Sequence, residues 1–277
     1  MWMVRGTTVA LLIAAGLGMA QPARAAPESA LPRPDHVVIL VDENHAPNQV
    51  LGRTGFLTAL SRGGAVFTGS VGVAHPSQPN YLALFSGTTQ GLASNSCPHT
   101  FSGANLGSQL RATGRGFVGY AQGMPVDGYT GCQFGPYRRK HNPWVNFSNL
   151  PANVNLRFSR FPADFTALPT VAIVVPDQDN DMHDGSVAAG DAWAAANLGG
   201  YARWAMTHNS LLIVTFDESN DAHGNQVPTV FYGQPVRPGS YPGRIDHYSV
   251  LRTLEDMYGL PCLGNACAAT PITGAWR

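Results

Sequence analysis

Residues 36–45 read HVVILVDENH. Five aliphatic residues in a row, three of them Val, make a run too short for a free-standing helix and apolar at every position. That pattern suits a strand covered on both faces. The run ends abruptly on two carboxylates and an Asn. The same grammar recurs at 170–175 (TVAIVV), followed by PDQDNDMHD at 176–184, and at 211–216 (LLIVTF), followed by Asp217-Glu218-Ser219. A fourth short run, TVFY, occupies 229–232. Residues 55–61, 80–85, 106–112, 191–207 and 248–258 read as helices, the last with Val250, Leu251, Leu254, Met257 and Tyr258 on one face. Strand–helix alternation of this kind predicts an α/β fold, a largely parallel central sheet with helices on both faces. The stretch 94–169, rich in Gly, Asn, Pro and aromatics, reads mostly as long loops over the sheet, and 35–277 as one domain.

Open α/β sheets gather ligands at the carboxyl ends of their strands. Three such ends here deliver acids: Asp42 and Glu43 with Asn44, the 176–184 run, and Asp217 with Glu218. Only 12% of the residues are charged, against roughly 25% in an ordinary soluble domain, so this concentration is conspicuous. Carboxylates crowded together repel one another unless they are protonated or share a cation. With His183 and His247 close in the reading, a divalent metal ion resolves the repulsion. A nucleophile candidate stands in HPSQPNY at 75–81. Pro79 suits a first helical turn, and Ser77 just ahead of it meets backbone N–H donors and a dipole that favours an anion. A plain N-cap explains Ser77 equally well at this level. No Gly-x-Ser-x-Gly elbow is present, which disfavours a lipase or esterase.

Seventeen basic and 17 acidic residues balance to zero, which leaves no basic excess to bind a nucleic-acid backbone. Residues 1–25 have the layout of a secretory signal peptide: Arg5, a small-apolar run at 8–20, and Ala23-Arg24-Ala25 as the cleavage pattern. That run is shorter than the about 20 residues a membrane span needs, so no stable membrane anchor is expected. Cleavage near Ala25 removes two arginines and no acid, leaving a formal charge of −2 and a Pro-rich lead-in at 26–34. Export favours disulfides among Cys97, Cys132, Cys262 and Cys267. Cys262–Cys267 across Leu-Gly-Asn-Ala with Cys97–Cys132 is the natural pairing of three that the count allows.

Taken together, Glu43-Asn44, HPSQPNY at 75–81, YRRKHNPWVNF at 137–147, DNDMHDGS at 179–186, TFDES at 215–219 and DHYSVLRTLEDMYGL at 246–260 resemble the bacterial phosphoesterase family. That family holds secreted acid phosphatases and phospholipases C within the alkaline phosphatase superfamily, and the resemblance runs in order over about 35–260. It implies an alkaline-phosphatase-like fold and a Ser77 nucleophile that passes through a phosphoserine. It also implies Glu43, Asn44, Asp217 and Glu218 as ligands of a divalent metal ion. Asp179, His183 and His247 resemble the ligands of a second metal, with His183 or His247 as a proton donor where that metal is absent. His75 lies beside the nucleophile, and Lys140, His141 and Asn80 are implied phosphate contacts. TFDES departs from the Glu-His-Gly of many relatives, and the chain lacks room for an extra C-terminal domain, which leaves one metal or two open. The implied substrates are phosphate monoesters, with phosphoinositides such as phosphatidylinositol 3-phosphate among them, and histidine chemistry implies acid operation. A phospholipase C-type phosphodiesterase is the first alternative, and a secreted binding protein without catalysis the second.

Overall fold

The computed structural model describes residues 1–3, 31–220 and 224–277; the expected signal peptide and most of the lead-in lie outside them, beyond the first three residues. In chain order the strands are β1 (His36–Asp42), β2 (Ala65–Ser70), β3 (Phe117–Ala121), β4 (Gln133–Phe134), β5 (Tyr137–Arg138), β6 (Asn155–Arg157), β7 (Val171–Val175), β8 (Ser210–Phe216), β9 (Thr229–Gly233) and β10 (Gly239–Ile245). The helices are α1 (Pro47–Val50), α2 (Phe56–Gly63), α3 (Ser77–Ser86), α4 (Leu106–Ala112), α5 (Val187–Ala205) and α6 (His247–Tyr258). Eight strands form one sheet in the order β10-β2-β9-β8-β1-β7-β3-β6, while β4 and β5 pair in a separate small hairpin. Within the large sheet β9 runs against its neighbours and the other strands point one way.

The apolar run at 36–42 lies inside this sheet as β1. β1 lies parallel between β7 and β8, with Leu40 opposite Val174 and Asp42 opposite Phe216. Its continuous apolarity has a direct cause. Val37, Ile39 and Val41 enter one core with α3, α4 and α6, and Val38 and Leu40 enter another with α2 and α5. Helices therefore cover both faces, and each buried Val or Leu side chain contributes about 1.5–3 kcal/mol. α3 begins at Ser77, earlier than the apolar pattern suggested, and α5 begins at Val187, where the Ser186 hydroxyl accepts from the Ala189 N–H.

The stretch 94–169 is less loop-like than its composition suggests. β3 is inserted between β7 and β6 there. Gly119 within β3 is what hides it: a Cβ at that position would lie 2.1 Å from the Trp144 ring, so an aromatic packs where a strand residue would carry a side chain. β10 was also unread, because Pro242 and Gly243 interrupt an exposed edge strand at an irregularity in its register. Disulfides join Cys97 to Cys132 and Cys262 to Cys267, the pairing expected.

Candidate active site

Because β1 and β8 are adjacent and parallel, Asp42-Glu43 and Asp217-Glu218 leave the sheet side by side. The chain after β7 turns back under them. Asn180 and Asp181 both donate their N–H to the Asp177 carbonyl at 2.8 Å, and Asp181 then passes its own carbonyl to the Glu43 N–H at 2.8 Å. Asp42, Glu43, Asp181, Asp217 and Glu218 are all buried. Asn44 adopts a left-handed backbone (φ 52°), which lets its N–H donate to Asp217 Oδ1 at 3.1 Å.

Ser77 arrives from a third direction. After β2, residues 71–76 run to the start of α3 and are held by Asn80. Its Oδ1 accepts from the N–H groups of Val73 (2.9 Å) and Ala74 (3.0 Å), and its Nδ2 donates to the carbonyls of Ala74 (2.9 Å) and Pro76 (3.3 Å). The structure thus turns Asn80 onto its own loop. Ser77, at the first position of the helix, donates its single hydroxyl proton between Glu43 Oε2 (3.0 Å) and Glu218 Oε1 (3.3 Å). The hydroxyl makes no capping bond to the helix; its proton is directed instead at two buried carboxylates.

Glu43 is the hub. Tyr81, one helical turn beyond Ser77, donates its hydroxyl to Glu43 Oε1 at 2.5 Å. His141 Nε2 lies 3.0 Å from the same oxygen, and its Nδ1 lies 3.4 Å from Asp181 Oδ2. The Tyr81 and His141 rings stack with centroids 5.1 Å apart. Burial pushes the Glu43 carboxyl up, yet the charges of His141 and Lys140 and the Tyr81 hydroxyl outweigh it and hold Glu43 at about 2. Burial alone would lower His141, and Glu43 and Asp181 raise it instead. The other carboxyls go the opposite way. Asp42 and Asp217 are raised well above the usual range by burial and by their acidic neighbours, and Asp181 and Glu218 are raised by burial too. His75, with its side chain 41% exposed, sits in close contact with Glu218 Oε2 at the rim.

Raised carboxyls mark where a cation fits. Among the described residues, Asp42 Oδ2 and Asp217 Oδ2 are buried with no hydrogen-bond partner. Ligand atoms of Glu43, His141 and Asp181 lie within 4.8 Å of one another. Carboxylate oxygens with an imidazole nitrogen are a donor set that a divalent ion accepts.

Not every expected residue joins this group. Asp179 and His183 are exposed: the His183 Nδ1 lies 2.7 Å from Asp184 Oδ1 and 3.3 Å from the Gln178 side-chain amide, and its backbone N–H donates to Asp181 Oδ1 at 2.9 Å. His247, at the start of α6, is buried with Nε2 3.0 Å from the Phe216 carbonyl; since a carbonyl can only accept, that nitrogen carries the proton. Burial lowers its pKa, and its Nδ1 lone pair has no partner among the described residues. Sequence reasoning passed over Tyr81 and Asp181. Tyr81 stands at the i+4 position from Ser77, and that spacing alone puts it on the face of the nucleophile candidate. Asp181 carried no comparable signal, because the turn decides which acid of the 177–184 run points inward.

The model of the Phosphoesterase family matches residues 53–261. The chain is 50% identical to the phosphatidylinositol-3-phosphatase of Mycobacterium tuberculosis over 99% of its own length and 93% of that protein's. It is 31% identical to a phosphate-repressible acid phosphatase of Penicillium chrysogenum, covering 75% of this chain and about half (55%) of the fungal protein. Among solved structures, an alkaline phosphatase superfamily protein of Vibrio parahaemolyticus superposes with a TM-score of 0.62 at 13% identity, over 90% of this chain and 76% of that one. Murine ectonucleotide pyrophosphatase/phosphodiesterase 5 gives 0.54 at 11% identity, over 83% and 96%.

Proposed function

The chain belongs to the Phosphoesterase family and is a phosphoester hydrolase, and from that premise we propose that it is an exported phosphatase that cleaves phosphate monoesters through Ser77. The observation that carries this reading is the Ser77 hydroxyl shared between Glu43 and Glu218 at the N-terminus of α3. Phosphatidylinositol 3-phosphate enters as a substrate because a half-identical relative bears that activity in its name. Export rests on the signal-peptide layout of 1–25. Within the described residues no helix is long and apolar enough to cross a membrane.

Ser77 Oγ forms a bond to phosphorus while the ester P–O bond breaks. Its proton leaves along the hydrogen bond to Glu218, whose carboxyl is raised and so accepts more readily than Glu43 held at about 2. His75, against Glu218 and open to the rim, protonates the departing oxygen. In the second half a water gives a proton back to His75, its oxygen bonds to phosphorus, the Oγ–P bond breaks, and Ser77 recovers its proton. Lys140, whose charge already favours the Glu43 anion, faces the developing negative charge. Glu43, with Asn44 and Asp217 from the neighbouring strand ends and His141 and Asp181 beside it, would hold a divalent ion; when bound it would supply charge neutralisation for the phosphoryl oxygens.

Acid quench of a reaction with 32P-labelled substrate, followed by peptide mapping, tests the core of the proposal. Label on Ser77 in the wild type and none in Ser77→Ala is the expected result. Turnover by Ser77→Ala at the wild-type rate would overturn it.

A further inference from the structure

Outside the first three residues, the exposed large apolar side chains among the described residues are Val126 and Phe134, each 55% exposed. Isolated apolar residues on a surface are ordinary, but these two frame one short segment that also carries Tyr129. The Tyr129 N–H bonds to the Val126 carbonyl at 3.3 Å, and the Tyr129 ring meets Phe134 edge-on with centroids 6.4 Å apart. Cys97 tethers the segment at Cys132. The patch also stands at a particular place. Gln122 at the exit of β3 donates to Val175 at the end of β7 (2.9 Å), and Gln178 donates to Pro136 in the turn of the β4–β5 hairpin (3.1 Å). Phe134 and Val126 therefore emerge from the carboxyl edge of the sheet, the edge that carries Ser77. β5 runs directly into Lys140 and His141, and His141 touches Glu43.

Charge separates along the chain in a matching way. Between Glu43 and Asp164 the sequence contains a single acid, Asp127, and it is held by Arg157 and Arg160 at 3.0 Å each. Arg138, on the hairpin itself, donates to the carbonyls of Gly135 and Tyr137 and forms no ion pair among the described residues. Lys140, the one lysine of the chain, follows two residues later.

We propose that the 126–138 segment is a lipid-docking surface: Val126 and Phe134 enter the headgroup region of an anionic phospholipid bilayer, with Tyr129 supporting Phe134 from the core side, while Arg138 faces its phosphates. Apolar burial and electrostatic attraction add at such interfaces, and an aromatic ring with a polar neighbour is suited to that depth. Docking here presents a phosphoinositide headgroup to the Ser77 edge without any permanent anchor. The inference rests on the phosphoinositide reading above for its substrate, and on the surface alone for its partner.

The test uses the full chain with vesicles of phosphatidylcholine and phosphatidylserine, with and without phosphatidylinositol 3-phosphate. Phe134→Ser and Val126→Ser together are expected to lower co-sedimentation with either vesicle, and hydrolysis of the vesicle-borne phosphoinositide, by about tenfold. Their kcat/KM on p-nitrophenyl phosphate and on a short-chain soluble phosphoinositide stays at the wild-type value. Phe134→Trp is expected to retain or strengthen binding. Unchanged co-sedimentation of the double variant, or equal loss on soluble and vesicle substrates, would overturn the proposal. Failure of the wild type to cleave soluble phosphoinositide, with Phe134-dependent sedimentation intact, would refute the substrate reading and still support the docking surface.

Discussion

Two acid-bearing stretches follow two neighbouring strands, and they meet different fates. Asp42-Glu43 after β1 is wholly buried, whereas in Asp177–Asp184 after β7 the burial alternates: Asp177 and Asp181 turn in, Asp179 and Asp184 stay out. The difference is geometric. Asp42 is still in the strand ladder opposite Phe216, so its direction and that of Glu43 are fixed by the sheet. The 177–184 stretch is a turn, with Met182 at φ 77° and the Asp177 carbonyl accepting two N–H groups. Strand-end carboxylates are aimed by the fold itself; turn carboxylates are aimed one at a time. The comparison makes predictions whose effects should shrink as one moves from the first region to the second.

Glu43→Gln should have the largest effect. The substitution keeps the shape and removes the charge that His141, Tyr81 and Ser77 all address. Loss of kcat by about a thousandfold or more is expected on p-nitrophenyl phosphate, as for loss of a preorganised charged group. Calorimetric titration of the chelator-stripped protein with divalent ions should show binding in the wild type and a strongly weakened site in the variant. Activity within tenfold of wild type would show that convergence on Glu43 is structural.

Tyr81→Phe removes one oxygen from the same hub and should cost less, about tenfold in kcat with KM little changed. Because Tyr81 acts through Glu43, the readout that separates positioning from packing is ion affinity, expected to fall while Tm stays within a few degrees. This prediction also shows what was legible. Tyr81 could be read from its spacing to Ser77 in HPSQPNY, just as β1, β7 and β8 could be read from unbroken apolar runs buried on both faces. β3 and β10 could not, since Gly119 yields its side-chain space to Trp144 and β10 is a Pro- and Gly-bearing edge with little to bury. Ser77, Glu43, Asp217 and Glu218 were legible for a related reason: each stands at an element end whose position periodicity or motif betrays.

A buried acid outside the site separates burial from convergence. Glu255 in α6 is buried, and burial raises its pKa from 4.5 to about 8 against the opposing pull of the Leu263 backbone N–H and of Arg252. Arg252 and Asp256 are the charges that act on it from its own helix. A folded-state pKa above the unfolded value means that the native protein binds the extra proton. Its stabilisation is present below about pH 4.5 and is lost as pH rises toward 8. Glu255→Gln should abolish that slope: Tm near the wild type at pH 5, and several degrees above it at pH 8.5, with divalent ion held constant. Parallel profiles for the two proteins would show that Glu255 stays solvated or paired in solution.

The smallest effect is expected where the turn leaves its acids outside. Asp179→Asn and His183→Ala remove groups that sequence resemblance places at a metal, yet Asp179 is exposed and the His183 ring pairs with exposed Asp184. An exposed pair of this kind contributes about 0–1 kcal/mol. Asp181 receives the backbone N–H of residue 183, which any side chain at that position still provides. Both variants should therefore keep kcat/KM within about twofold and Tm within a few degrees. Asp181→Asn, two residues from either, should instead weaken ion binding, because its carboxylate faces His141 from inside the core. A large loss in His183→Ala with divalent ion present would mean that the 177–184 turn rearranges when the ion binds, and that its carboxylates are aimed by the ion as well as by the fold.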